Sequence, residues 1–385
     1  PLSHIHLSFD APIQFKGILF IPGAVPFDMM FEIPEKWRGV HLYVKRVFIQ
    51  SDCEELMPHY LRFVRGVVDS DDLPLNISRE TLQENQLIGK IRKSLVRKVL
   101  EHLAEMSQEK PEDYKKLWKN FGKFIKQGYR MDYENREKLA ALFRFNASRC
   151  QTEDEAISLD QYIERMVEGQ KDIYYLSGED RDTLEKSPHM ELFKKKNIEV
   201  LYLTEPVDDF LSQDLREYKG KNLVSADQEG ISLDEIKSTE GKSEEKSEQS
   251  ETSDRAMDDL VGFLKTQLKD RVVDVKISIR LVESPCCLVA SKEGPSVGMQ
   301  KILKMMHEHY EMPKRILEIN KNHPMIKKMA QIYATLPREG VLPLLCHQLL
   351  DNALLQEGTP FNTKEMVPRI FQMMEKMTEA LSDEK

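Results

Sequence analysis

The sequence predicts a multidomain chain of mixed α/β (α+β) class: two αβα units joined by a short helical segment, then an α+β domain ending in a helix bundle. Three observations predict it. Runs rich in Ile, Val and Phe alternate with longer stretches whose apolar residues recur every three or four positions. The 385 residues exceed what one hydrophobic core organises. One run, "KSTEGKSEEKSEQSETSD" (237–254), has no aliphatic or aromatic residue, so it cannot offset its chain entropy by burial. The expected divisions are a large α/β part (1–107), a helical connector (108–154), a small α/β part (155–230), a charged flexible linker (231–255) and a final domain (256–385).

"IQFKGILFIP" (13–22) and "VHLYVKRVFI" (40–49) read as strands, with a Pro-containing loop, 22–39, between them. In the second, Val40, Leu42 and Val44 share one face and His41, Tyr43 and Lys45 the other. "EELMPHYLRFVRG" (54–66) has a helical pattern despite Pro58, and "VVDSDDLPLN" (67–76) reads as a short strand and loop. A long amphipathic helix follows from Ser78, carrying Leu82, Ile88, Ile91, Leu95, Val99, Leu103 and Met106 on one face. Residues 111–150 read as two or three short helices, with Pro111 suited to a first turn and Trp118, Phe121 and Phe124 facing a core.

In the second α/β part, "SLDQYIERM" is a capped helix and "DIYYL" a strand. A helix spans about 179–196, and "IEVLYLT" is a second strand. Strand, helix, strand within about 30 residues predicts a right-handed βαβ unit with parallel strands. Pro206 with Asp208 and Asp209 opens another helix. After the charged run come a helix (256–268) and the strand "VVDVKISIRLV", with Val273, Val275, Ile277, Ile279 and Leu281 alternating. The strand "CCLVA", a Met-rich helix from about 296, the strand "RILEI" and three helices follow.

The last two helices carry broad apolar faces: Leu342, Leu345, Leu349, Leu350 and Leu354, then Met366, Ile370, Phe371, Met374 and Met377. They either cover their own sheet or form a dimer interface, for which Leu345, Leu349, Ile370, Phe371 and Met374 are the candidates.

The net charge of −9 argues against general nucleic-acid binding and shows no basic membrane-surface patch. No apolar run approaches the roughly 18 residues of a membrane span. Pro1 and not Met opens the chain, which reads either as processed or as a portion of something longer. The five cysteines are odd in number and form no CxxC pair, so free thiols in a reducing compartment are expected. No metal site is expected: Cys286 and Cys287 are adjacent and point to opposite faces of a strand, and "HEH" (307–309) lacks the i, i+4 spacing of two helical ligands. Neither GxxxxGK[ST] nor GxGxxG occurs.

One residue breaks a local rule. In "SDDLPLNISRETLQ" (70–83), Ser78 is a good N-cap and Glu80 suits the helix dipole, but Arg79 places a cation among orphan N–H groups. It is either a surface residue paired with an acid such as Asp71 or Asp72, or part of an anion site.

"LYVKRVFI" (42–49), "LRFVRGVVDSDDLPLNISRETLQ" (61–83), "YIERMVEGQKDIYYLSGE" (162–179), "SPHMELFKKKNIEVLYLTEPVDDF" (187–210) and "ILEINKNHPMIKK" (316–328) closely resemble the ninety-kilodalton heat-shock chaperone family, in its bacterial branch. The resemblance runs across essentially the whole chain. It implies the middle and C-terminal domains of an ATP-driven homodimeric clamp that binds partly folded client proteins. The resemblance also implies that ATP, with magnesium, binds an N-terminal domain outside this chain, so no ATPase activity is expected of the chain alone. It further implies that Arg79 reaches the ATP γ-phosphate and that Gln83 aligns its loop. An arginine donated to a transferring phosphoryl group is worth about 10³ or more in rate in other systems.

For clients, the resemblance places Phe210 at the position of an exposed aromatic, with Gln213 following. The segment "GMQKILKMMHEHYEM" offers Met299, Ile302, Leu303 and Met306 at helical spacing, either as adaptable binding surface or as core. The ending "TEALSDEK" lacks both the acidic pentapeptide of the cytosolic eukaryotic branch and a Lys-Asp-Glu-Leu signal. A bacterial cytoplasmic or organelle-matrix member is therefore expected, partnered by itself and by non-native proteins, and by neither nucleic acid nor membrane. The alternative is a dimeric scaffold with no nucleotide role.

Overall fold

The computed structural model describes residues 1–11, 13–25, 39–74, 86–231, 233, 236, 251–291, 294, 296–307, 310–335, 340–359 and 363–383. Arg79, Gln83 and most of the charged run lie outside the described residues. The chain divides into two compact units: Pro1–Phe145 with Ala156–Gln161, and Asn146–Glu155 with Tyr162–Lys385.

The first unit is built on a five-stranded sheet of β1 (Ser3–Phe9), β2 (Phe15–Ile21), β3 (Val40–Val44), β4 (Val47–Gln50) and β5 (Arg65–Ser70), in the order β1-β2-β5-β3-β4. β3 and β5 are parallel and the other neighbours antiparallel. β1 was not anticipated, although Ile5 and Leu7 alternate with exposed His4 and His6 in the pattern of a half-buried strand. The expected single strand 40–49 is two. Lys45 and Arg46 both have left-handed backbone, φ 51° and 68°, and turn β3 back as β4. No Gly or Asn marks that turn. Asp69 Oδ1 accepts from the Arg46 amide at 3.0 Å and helps hold it.

The expected helix over 54–66 is two 3-10 turns, Glu54–Leu56 and His59–Leu61, separated at Pro58. Two long helices pack against each other, the first also against β1. In α1 (Gln86–Glu109) the predicted face is buried from Ile88 to Met106. α2 (Pro111–Met131) is one 21-residue helix where shorter ones were expected, with Pro111 in its first turn. Its Phe121 stacks on Phe63, centroids 4.5 Å apart. The short α3 (Arg136–Leu142) completes this layer.

The second unit contains two sheets. The first runs β6-β8-β7-β10-β9, from β6 (Asn146–Ala147), β7 (Ile173–Ser177), β8 (Leu201–Leu203), β9 (Glu217–Tyr218) and β10 (Lys221–Ser225). β7 and β8 are parallel, as the βαβ pattern required. Their crossover is not one helix but α5 (Arg181–Glu185), a 3-10 turn at Pro188–Met190 and α6 (Glu191–Lys195), because Pro188 cannot continue the hydrogen-bond ladder. The capped helix is α4 (Leu159–Glu164), within the first unit's segment as far as Gln161; Ser158 and Gln161 exchange side-chain-to-backbone hydrogen bonds at 3.1 and 2.9 Å.

The second sheet of this unit, β11 (Asp274–Ile277), β12 (Cys286–Val289) and β13 (Ile316–Ile319), has β13 at its centre. β11 is shorter than its sequence pattern. Val275 is buried, but Val273 and Ile279 are exposed and the strand stops at Ile277. Helices α8 (Glu251–Leu268), α10 (Pro324–Thr335) and α11 (Val341–Gln356) share its core, and α12 (Thr363–Asp383) packs against α11. Cys286 joins that core while Cys287 joins a separate cluster with Leu281, Val289 and Ile316, so the two thiols do face opposite sides.

Candidate functional site

The second unit brings two of the sequence-selected elements together. α7 (Pro206–Asp214) begins at Pro206 and carries a capping box between Glu205 and Asp208. That fixes its rotation: Asp208, Leu211 and Ser212 are buried, while Phe210 and Gln213 are half-buried. α9 (Val297–Met306) begins at Ser296, whose Oγ accepts from the Met299 amide at 3.2 Å. Val297 and Gln300 point inward, and Met299, Ile302 and Leu303 are half-buried. Met306 is 65% exposed, and the neighbouring Met305, which its position off the apolar stripe hid, is 85% exposed.

α7 packs against α9. The contact is close: a methyl group placed at Gly298 would lie 2.0 Å from Oδ1 of Asp209, so that carboxylate would have to shift to admit one. Burial pushes the Asp209 carboxyl up to about 6, with Asp208 and Asp227 acting in the same direction against Lys301 of α9. Lys301 Nζ in turn donates to the Glu357 carbonyl at 2.7 Å, tethering α9 to the end of α11. Glu357 is an ionic hub. It accepts from Arg315, and its Oε1 is 3.5 Å from His189 Nε2. Burial raises its pKa, but His189 and Arg315 outweigh this and hold it below the usual carboxylate value.

The terminal helices divide the predicted dimer residues. Leu349 is buried in its own core and Leu345 packs against that core. Ile370 is half-buried. Phe371 and Met374 are exposed, together with Val367 and Met377, so α12 presents a continuous apolar face. Its anchor is Asp351 of α11, which accepts from Arg369 of α12 and from Arg271.

Arg79 and Gln83 cannot be placed against this frame, being outside the described residues. Of the acids near them in sequence, Asp72 already accepts from the Gln14 amide at 2.7 Å. Among the described residues no three or more His, Cys, Asp or Glu side chains group as a metal site would require. All five thiols are buried. Burial pushes Cys53, Cys286 and Cys346 up to about 12 and Cys287 well above its usual value, which leaves them poor nucleophiles. No described helix is long and apolar enough to cross a membrane.

The chain is 44% identical over 362 residues to the chaperone protein HtpG of Geobacter metallireducens, covering 94% of this chain and 55% of that protein. It is 44% identical over 360 residues to HtpG of Geobacter sulfurreducens, covering 94% and 54%. It is also 40% identical over 386 residues to heat shock protein 90-5, chloroplastic, of Arabidopsis thaliana, covering 97% and 48%. The chain thus spans about half the length of these relatives. The family model described as Hsp90 protein matches residues 1–385, and the chain belongs to the Hsp90 chaperone family.

Proposed function

We propose that this chain is the client-binding and dimerising portion of an ATP-dependent chaperone of the HtpG type. The observation that carries the reading is the family match along all 385 residues, over about half the length of each chaperone relative. Within that frame, partly folded proteins dock on the surface shared by α7 and α9, through Phe210, Gln213, Met299, Ile302, Leu303 and Met306. The exposure of Met305 and Met306 supports this, because thioether side chains adapt to unrelated partners. The chain homodimerises through α12, whose exposed Phe371, Met374 and Met377 suit burial against a second copy. Leu345 and Ile370 border that interface, and Leu349 supports it from within its own core.

Arg79 donates its guanidinium to the γ-phosphate of magnesium-bound ATP held elsewhere in the full-length protein, and Gln83 aligns it. The physical role is charge stabilisation at the transferring phosphoryl group. A bacterial cytoplasm or an organelle matrix fits this reading, the latter because a chloroplastic relative shares 40% identity.

The test is ATP hydrolysis at matched concentrations by this chain, by the full-length protein, and by the full-length Arg79→Ala variant. The expected result is no turnover by the chain alone, turnover at full length, and a loss of about 10³ with alanine. Turnover by the chain alone, or an active alanine variant, would remove the assigned role.

A further inference from the structure

Two side chains in the second unit, one carboxylate and one guanidinium, each serve backbone groups of the other sheet's half. Glu191, the first residue of α6, reaches the link between β11 and β12. Its Oε2 accepts from the amides of Val282 and Glu283, the latter at 2.8 Å, and its Oε1 accepts from the Ser284 amide at 2.9 Å. Three consecutive N–H groups converging on one carboxylate form an anion-binding concavity. In the reverse direction, buried Arg280 reaches from that same link. It donates to the carbonyls of Ala226 and Gln228, both at 2.7 Å, and to Glu318 Oε2 at 3.1 Å.

The backbone is joined at the same place. Ala290 N donates to Asp227 O at 2.9 Å, and Glu229 N donates to Ala290 O at 2.8 Å. Residues 227–229 therefore continue the β12 edge of the three-stranded sheet. Val282 and Glu283 have exposed side chains, so apolar packing does not explain the ordering of their amides. The carboxylate does, because a charged acceptor on backbone N–H groups makes stronger bonds than a neutral one.

We infer that the amides of Val282, Glu283 and Ser284 form a carboxylate-binding site that Glu191 fills in cis, and that with Arg280 this exchange clamps the two sheets of the unit. The clamp joins the sheet whose β8 precedes α7 to the sheet whose β12 precedes α9. It does not depend on α7 or α9 binding clients. Its ligand class is a small carboxylate, since the site's internal occupant is one.

The test is amide hydrogen exchange on the 385-residue chain carrying Glu191→Ala, with acetate as probe and chloride at equal ionic strength as control. Removal of the acceptor is expected to speed exchange at 282–284 about tenfold or more. Acetate is expected to slow it again and chloride is not. Glu191→Gln retains one acceptor oxygen without charge and is expected to fall between the two. It also serves as the test protein if the alanine variant does not fold. Unchanged exchange at the three amides in either variant, or rescue by chloride equal to that by acetate, would overturn the inference.

Discussion

Helices α11 and α12 have similar apolar faces and opposite fates. α11 turns Leu342, Cys346, Leu349, Leu350 and Ala353 into a core shared with α8, α10 and the β11-β13-β12 sheet. α12 packs on α11 yet leaves Phe371 60% exposed and Met377 66% exposed. The difference teaches that an apolar stripe specifies a wish to be covered and not what covers it. α11 is reached by elements from earlier in the chain. α12 is oriented instead by polar anchoring, through Arg369 on the buried Asp351. Its helix also continues through Pro368, which provides no backbone N–H to the ladder.

Breaking the anchor should have the largest effect on this contrast. Asp351→Ala leaves Arg369 and Arg271 without their shared carboxylate, and should lower unfolding free energy by about 3–5 kcal/mol. Chemical denaturation measures it. A loss under about 1 kcal/mol would mean that α12 is held mainly by its apolar contacts.

A matched pair of truncations sharpens the comparison itself. Leu349→Ala should cost about 2–5 kcal/mol through the cavity it leaves. Phe371→Ala should change the stability of one copy by no more than about 0.5 kcal/mol, because most of its surface is already in water. In sedimentation, Phe371→Glu should shift the mass towards one copy while Leu349→Ala shifts thermal stability. If the two positions behaved alike in both measurements, the buried-versus-exposed distinction would fail.

The smallest effect should come from pH at the end of α11. The folded Glu357 carboxyl lies below its usual value of about 4.3, so the stability it contributes is fully present above that pH. It is lost as pH falls through the folded value. The stability difference between the parent and Glu357→Gln should therefore be constant above about pH 4.3 and shrink below it. A difference that grew on acidification would show that burial, and not Arg315 and His189, dominates this group.

Much of the fold was legible because secondary structure follows local periodicity. The parallel β7–β8 pair, the α1 face from Ile88 to Met106, the α7 start at Pro206 and the opposed thiols of Cys286 and Cys287 follow from spacing alone. Three of the misread segments share a cause: 40–49, 54–66 and 179–196 have smooth apolar patterns interrupted by a turn that hydrophobicity does not register. At Lys45–Arg46 two cationic residues adopt a backbone usually left to Gly or Asn. At Pro58 and Pro188 the missing N–H decides. Of the candidate site, the Met stripe was legible but Met305 was not, because exposure at a helix end depends on what lies beyond it.

The amino-acid sequence by itself determined the class of element at most positions, the family to which the chain belongs, and which residues could form apolar faces. The tertiary structure alone decided that α7 meets α9 at Gly298, that Leu349 is core while Phe371 is surface, and that Glu191 lodges among the amides of 282–284. The physical reason is one of range. Periods of 2 and 3.6 are set within a few residues by backbone geometry. Burial and side-chain hydrogen bonding depend on groups far apart in the chain, 93 positions for Glu191 and Ser284, that only the folded chain brings together.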